Sequence, residues 1–315
     1  MPPPSLSSLL LTLLTTLASS ATAHSHLAYI LINDELYHGF DPRPNQPPNP
    51  ASHVGWSTTA LDDGFVPPQN YSSPDIICHV GSTAPPAHAP VRAGDHIHVQ
   101  WNGWPIGHVG PVLSYLARCD SETGCAGVKK EGLRWTKIDD SRPVMEVLGK
   151  GGEGEGVPGQ RWATDVLIAA NNSWIVAVPR GLETGAYVLR HEIIALHYAA
   201  KRNGAQNYPL CINLYVQGGG GRFEMDAFDA RQLYKEDDPG ILVNVTAGFR
   251  STYVVPGPTV AVGASPVPYA QQSASVSRRD GTPVVVTRST ETVPFSEVAT
   301  PTGAARLKRG YGRRY

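Results

Sequence analysis

AYVLRHEIIALH at residues 186–197, followed after a turn by GAQNYPLC at 204–211, decides the architecture. Residues 186–196 are strand length and rich in β-branched and aromatic side chains. The His191-Glu192 pair superficially matches an HExxH zinc-protease helix. It fails on spacing, because four residues rather than two separate Glu192 from His197. On a strand, His191 and His197 share one parity and face one side, as do Gln206 and Tyr208. Imidazole, amide and phenol groups gathered this way suit axial contact to a metal and hydrogen bonding beside it. The plainer alternative is a satisfied polar layer in a core.

Similar short apolar segments recur at 28–32, 96–101, 112–116, 173–178 and 212–216, with Gly, Pro, Asn and Asp clusters such as 41–50 and 149–159 between them. Many short strands joined by long decorated loops predict an all-β protein, an antiparallel β-sandwich of the immunoglobulin or fibronectin III type, spanning 24–249. Beyond 249 the composition turns to Pro, Ser, Thr, Val, Gly and Ala, without cysteine. Such a stretch buries too little surface to offset its ordering entropy, so 250–315 is expected to be a disordered or mucin-like tail with a solvated basic end.

The 315 residues carry a formal net charge of -1, so no global basic field invites nucleic acid. Only 17% are charged, while Gly (32) and Pro (28) abound, a balance suited to a turn-rich β protein. The longest apolar run, 9–17, ends in small residues with Ala21 and Ala23 before His24. It reads as a secretory signal over 1–23, removed after Ala23, with cleavage after Ser25, which would put His26 first, as the weaker alternative; no later run approaches a membrane span. Four cysteines in an exported chain predict disulfides: Cys119 and Cys125 staple a local loop, and Cys78 with Cys211 then closes a long one. Sequons stand at Asn70, Asn171 and Asn244.

Cleavage after Ala23 would leave His24 first. An N-terminal histidine offers an α-amino group and an imidazole to one metal, and the amine, with a pKa near ~8, yields its proton readily to a metal. One more imidazole completes three nitrogen donors in a tetragonal set that favours Cu(II). Among 11 histidines, His108 is the candidate, because WPIGHVGPV at 104–112 is a tight, rigid Gly/Pro loop just before a strand.

The set resembles the auxiliary activity family nine lytic polysaccharide monooxygenases, formerly filed with the glycoside hydrolases. WSTT at 56–59, SPDIICH at 73–79, the 104–112 loop, AANNSW at 169–174, 189–197, 204–211 and DPGI at 238–241 occur in that family's order over 24–245. The resemblance implies a secreted copper enzyme that oxidatively cuts a β-1,4-glucan, cellulose above all, at C1 or C4. It would use O2 or peroxide and an external electron donor, either a small reductant or a redox enzyme. It further implies His24 and His108 as a histidine brace with Tyr208 axial, and His197 with Gln206 as the pair that positions oxygen or peroxide. Cys78–Cys211 and Cys119–Cys125 would be its disulfides, and Tyr234 an exposed aromatic on a flat glycan-binding face. A monomer is expected, with neither nucleic acid nor membrane as partner. His26 is an extra histidine for which a surface role is expected. The rival reading is a non-catalytic secreted carbohydrate- or copper-binding sandwich.

Overall fold

The computed structural model describes residues 25–43, 52–141, 162–245, 253–267 and 279–286. The strands, in chain order, are β1 (Leu27–Ile32), β2 (Glu35–His38), β3 (Ala87–Arg92), β4 (His96–Trp101), β5 (Val112–Arg118), β6 (Thr136–Asp139), β7 (Ser173–Ala177), β8 (Gly185–Ala195), β9 (Gln206–Gln217), β10 (Arg279–Asp280) and β11 (Val284–Val285). Two short helices, α1 (Asp75–Cys78) and α2 (Ala163–Ala169), interrupt them. One sheet runs β10-β2-β1-β4-β7 and the other β11-β3-β9-β8-β5-β6. This is the expected β-sandwich. Most neighbours are antiparallel, and β3·β9 and β10·β2 are parallel.

Local chemistry sets the first hairpin. Asn33 and Asp34 both adopt positive φ (50° and 68°) between β1 and β2, the two-residue turn whose twist matches paired strands. Side-chain parity then builds the core. Odd residues of β8 (Tyr187, Leu189, Ile193, Ala195) and even residues of β9 (Tyr208, Ile212, Leu214, Val216) meet β1, β4 and β7 between the sheets. The opposite parity (Val188, Ile194, Cys211, Tyr215) enters a second cluster under α1 and the long loops. The larger sheet is therefore covered on both faces. That is why Arg190, His191 and Glu192 in the middle of β8 have no exposed surface. His191 lies between the sheets with Nδ1 3.0 Å from Ser114 Oγ; it is a core residue.

Both expected disulfides form. Cys78–Cys211 ties α1 to β9 across 133 residues, and Cys119–Cys125 closes a loop of 6. Chain-entropy arguments give roughly 5 and 2 kcal/mol for loops of those lengths.

The stretch beyond 249 differs from the expected disordered tail wherever it is described. Tyr253 is buried, and its phenol donates to the Gly240 carbonyl at 2.7 Å. β10 extends the smaller sheet beside β2, and β11 extends the larger beside β3. Val284 and Val286 supply apolar contacts, and open sheet edges supply unpaired backbone groups that attract a strand. Composition averaged over 66 residues (250–315) conceals these short pieces.

Candidate metal centre

His108 and His197 meet because the loop before β5 lies directly on the end of β8. Leu196 N donates to the Val109 carbonyl at 2.8 Å, and Ile194 N to the Pro111 carbonyl at 3.2 Å. Gly110 permits this approach, since a Cβ there would stand 1.8 Å from the Ile194 carbonyl oxygen. Trp104 holds the loop from within: its indole N–H donates to the His108 carbonyl at 2.8 Å, and its backbone N–H to Asn172 Oδ1 at 2.9 Å. The two imidazole centroids end 3.9 Å apart, at 46°. Nδ1 of each ring is buried and accepts or donates no hydrogen bond in the protein.

The Tyr208 ring packs edge-on against Trp104 at 5.1 Å, and Trp104 meets His108 edge-on at 6.4 Å. The Tyr208 hydroxyl donates to Gln206 Oε1 at 3.2 Å. The structure thus gathers His108, His197, Gln206 and Tyr208 at one end of the sandwich. Another predicted residue, His24, lies outside the described residues. Among the described residues no group of three His, Cys, Asp or Glu is placed to hold a metal.

The donor set fits copper. Burial holds both imidazoles below their ordinary basicity, and the His108 charge adds to the effect at His197, which falls to about 4. At neutral pH both rings are neutral, with lone pairs free for a metal. Burial, then the carboxylates of Asp62 and Asp63, push the Tyr208 phenol far above its ordinary range, so it stays protonated. Imidazole nitrogen with a neutral phenol is a donor chemistry that suits copper.

Two expectations are corrected. Tyr234 is not an exposed aromatic: it is 4% exposed, and its hydroxyl contacts Glu192 and lies 2.9 Å from the Tyr115 hydroxyl. Its phenol satisfies a buried carboxylate, a requirement that composition around 234 does not reveal. His26 is not at the surface either. It is buried, with Nδ1 3.0 Å from both Asp63 carboxylate oxygens and its backbone N–H donating to Asn102 Oδ1 at 3.0 Å.

Sequence reasoning missed the apolar surface around the histidines. Tyr198 is 61% exposed with its ring 4.3 Å from that of His197, and Ile106, two residues before His108, is 67% exposed. Leu61, 56% exposed, adjoins Asp62. Large apolar groups in water beside histidines were a signal available in principle, since Tyr198 directly follows His197. Of the sequons, Asn171 and Asn244 are exposed and Asn70 is half-buried.

The chain is also similar to known proteins in sequence and in fold. Residues 24–253 match the model of Auxiliary Activity family 9 (formerly GH61). The chain is 43% identical over 270 residues to the AA9 family lytic polysaccharide monooxygenase H of Thermothelomyces thermophilus, covering 85% of this chain and 74% of that protein. It is 45% identical over 251 residues to the AA9 family lytic polysaccharide monooxygenase A of Talaromyces verruculosus, covering 79% and 72%. Among solved structures, the extended catalytic domain of H. jecorina LPMO9A superposes with a TM-score of 0.71 at 39% identity, over 83% of this chain and all of that one.

Proposed function

Because the chain belongs to Auxiliary Activity family 9, the copper-dependent oxidoreductases that act on polysaccharide, we propose that it oxidises cellulose or a related β-1,4-glucan at C1 or C4. Its working form is then a secreted monomer, released from its signal after Ala23. His24 would contribute its amine and imidazole, His108 its imidazole, and Tyr208 its phenol. Copper held there would supply one-electron chemistry by which O2 with two electrons, or peroxide after one priming electron, each from a small reductant or redox enzyme, oxidises a sugar C–H.

The protein's own groups do the rest. His197 stands 3.9 Å from His108, ring to ring, as a neutral imidazole able to donate or accept a proton beside the centre. Gln206 takes the Tyr208 hydroxyl hydrogen bond on its Oε1, which leaves its amide N–H group free to face a polar ligand. Tyr198, Ile106 and Leu61 offer apolar contact to the flat face of a glucan chain, the role expected of Tyr234. Exposed Asn171 and Asn244 would accept glycans, and half-buried Asn70 less readily.

The observation that carries this reading is the close pair of imidazole rings of His108 and His197, each with a buried Nδ1 that has no hydrogen-bond partner in the protein. The test is release of oxidised oligosaccharides from amorphous cellulose with copper and ascorbate. Mass spectrometry should show products at aldonic-acid or ketone masses, abolished by a chelator. Release that continues unchanged with chelator and without ascorbate would mean hydrolysis. Cellulose binding without any oxidised product would favour a non-catalytic sandwich.

A further inference from the structure

Gln206 and Tyr208 face the candidate metal centre, and the residue between them, Asn207, points the other way with no exposed surface. Its carboxamide is used at both ends. Nδ2 donates to Glu192 Oε1 at 2.8 Å, and Oδ1 accepts from the Tyr71 hydroxyl at 2.7 Å. Its backbone is also paired on both sides with Val66, at 3.1 and 2.8 Å. Glu192 is in turn gripped by Arg190, at 2.7 and 3.0 Å, and by the Tyr234 hydroxyl. Arg190 also donates from Nε and Nη2 to the Ile77 and Ile76 carbonyls, next to the Cys78–Cys211 bridge.

Arg190 and Glu192 are fully buried. Such a pair costs several kcal/mol of desolvation per ion, and an apolar layer of equal volume is often more stable. Stability alone therefore gives little reason for charge here. What the network does supply is direction: the Glu192 carboxylate and the Tyr71 hydroxyl both close on the Asn207 carboxamide, and fixed hydrogen bonds define the rotation of a strand more sharply than apolar packing does.

We propose that Asn207, held by Glu192 and Tyr71, is a positioning residue that sets the rotation of β9 and so the placement of Gln206 and Tyr208 at the centre. The proposal rests on the functional reading above, and its test separates the two. Asn207→Ala removes the anchor, and Tyr71→Phe removes one hydrogen bond while keeping the ring that packs 5.5 Å from Tyr234. In metal-free, isotope-labelled protein, the Gln206 side-chain amide and Tyr208 ring resonances should shift or broaden in both variants. Those of Gln100, which bonds elsewhere, should hold still. With copper added, affinity should stay within about threefold of wild type, while the Cu(II) paramagnetic resonance spectrum changes and oxidised product falls about tenfold or more. Folded variants with wild-type Gln206 and Tyr208 resonances and a wild-type copper spectrum would overturn the proposal. If Asn207→Ala does not fold, Tyr71→Phe decides alone. Absence of copper binding in the wild type would defeat the functional reading and leave the metal-free test intact.

Discussion

Truncating His108 to alanine should weaken copper binding by roughly a hundredfold or more, about 3 kcal/mol, because one of three nitrogen donors disappears. Calorimetry checks it, and unchanged affinity would remove His108 from the centre. Gln206→Ala tests a different role. It should keep copper affinity near wild type and lower oxidised-product release by ~10–100-fold, the range that groups hydrogen-bonded around a metal command. Full activity would show that the amide does not act there. The contrast between these two residues and Tyr234 also marks how far sequence reading reaches. His108 and Gln206 sit in short segments whose residue types directly express a chemistry. Tyr234 sits in an acidic loop, and only the three-dimensional position of Glu192, 42 residues away, turns its phenol inward.

At the scale of elements, β1, β4, β5, β7, β8 and β9 were legible, β2, β3 and β6 were not read, and the edges of several strands differ from the reading. The segment read as 112–116 runs on to Arg118 in β5, and that read as 28–32 begins at Leu27 in β1. Period-two patterning fails for β3 and β6, which are buried at nearly every position and so show no alternation. It says little about β10 and β11, which are two residues each and owe their form to the open edges of β2 and β3. The placement of His108 depends on an equally short-range feature. Gly110→Ala should destabilise the protein by ~1–3 kcal/mol, a fall of roughly 2–10 °C in melting temperature, since its Cβ would collide with the Ile194 carbonyl. Because the same contact brings His108 to His197, copper affinity should drop alongside the melting temperature. A variant that melts lower but binds copper as tightly as wild type would show that the loop sets stability without setting the ligand.

The whole molecule carries opposed titrations that fix how its stability follows pH. His88 is fully buried, its Nδ1 3.0 Å from the Pro86 carbonyl and its Nε2 accepting from Cys125 N at 3.0 Å. Burial lowers its pKa to about 4, and that of His191 to about 3. Unfolded, both titrate near ~6.5. Below that value the unfolded chain binds the extra protons, so stability is full above ~6.5 and is lost as pH falls toward the folded values. Asp139 acts the other way. It accepts from the Trp174 indole at 2.7 Å and from Ser141 N at 3.0 Å, yet burial outweighs both and raises it to about 6. Its contribution is present below the unfolded value of ~3.9 and is lost as pH rises through about 6. Melting temperature should therefore climb from pH 4 to pH 7, less steeply than the histidines alone dictate. Asp139→Asn removes the opposing group. Its amide must turn an N–H toward Trp174 or Ser141, a cost that does not depend on pH. Relative to wild type, the variant should still gain roughly 3 kcal/mol between pH 4 and pH 7, from about two units of pKa shift. Denaturation curves of both proteins at the two pH values measure that difference directly. A variant whose deficit is the same at both would mean that Asp139 does not titrate in the folded protein over this window.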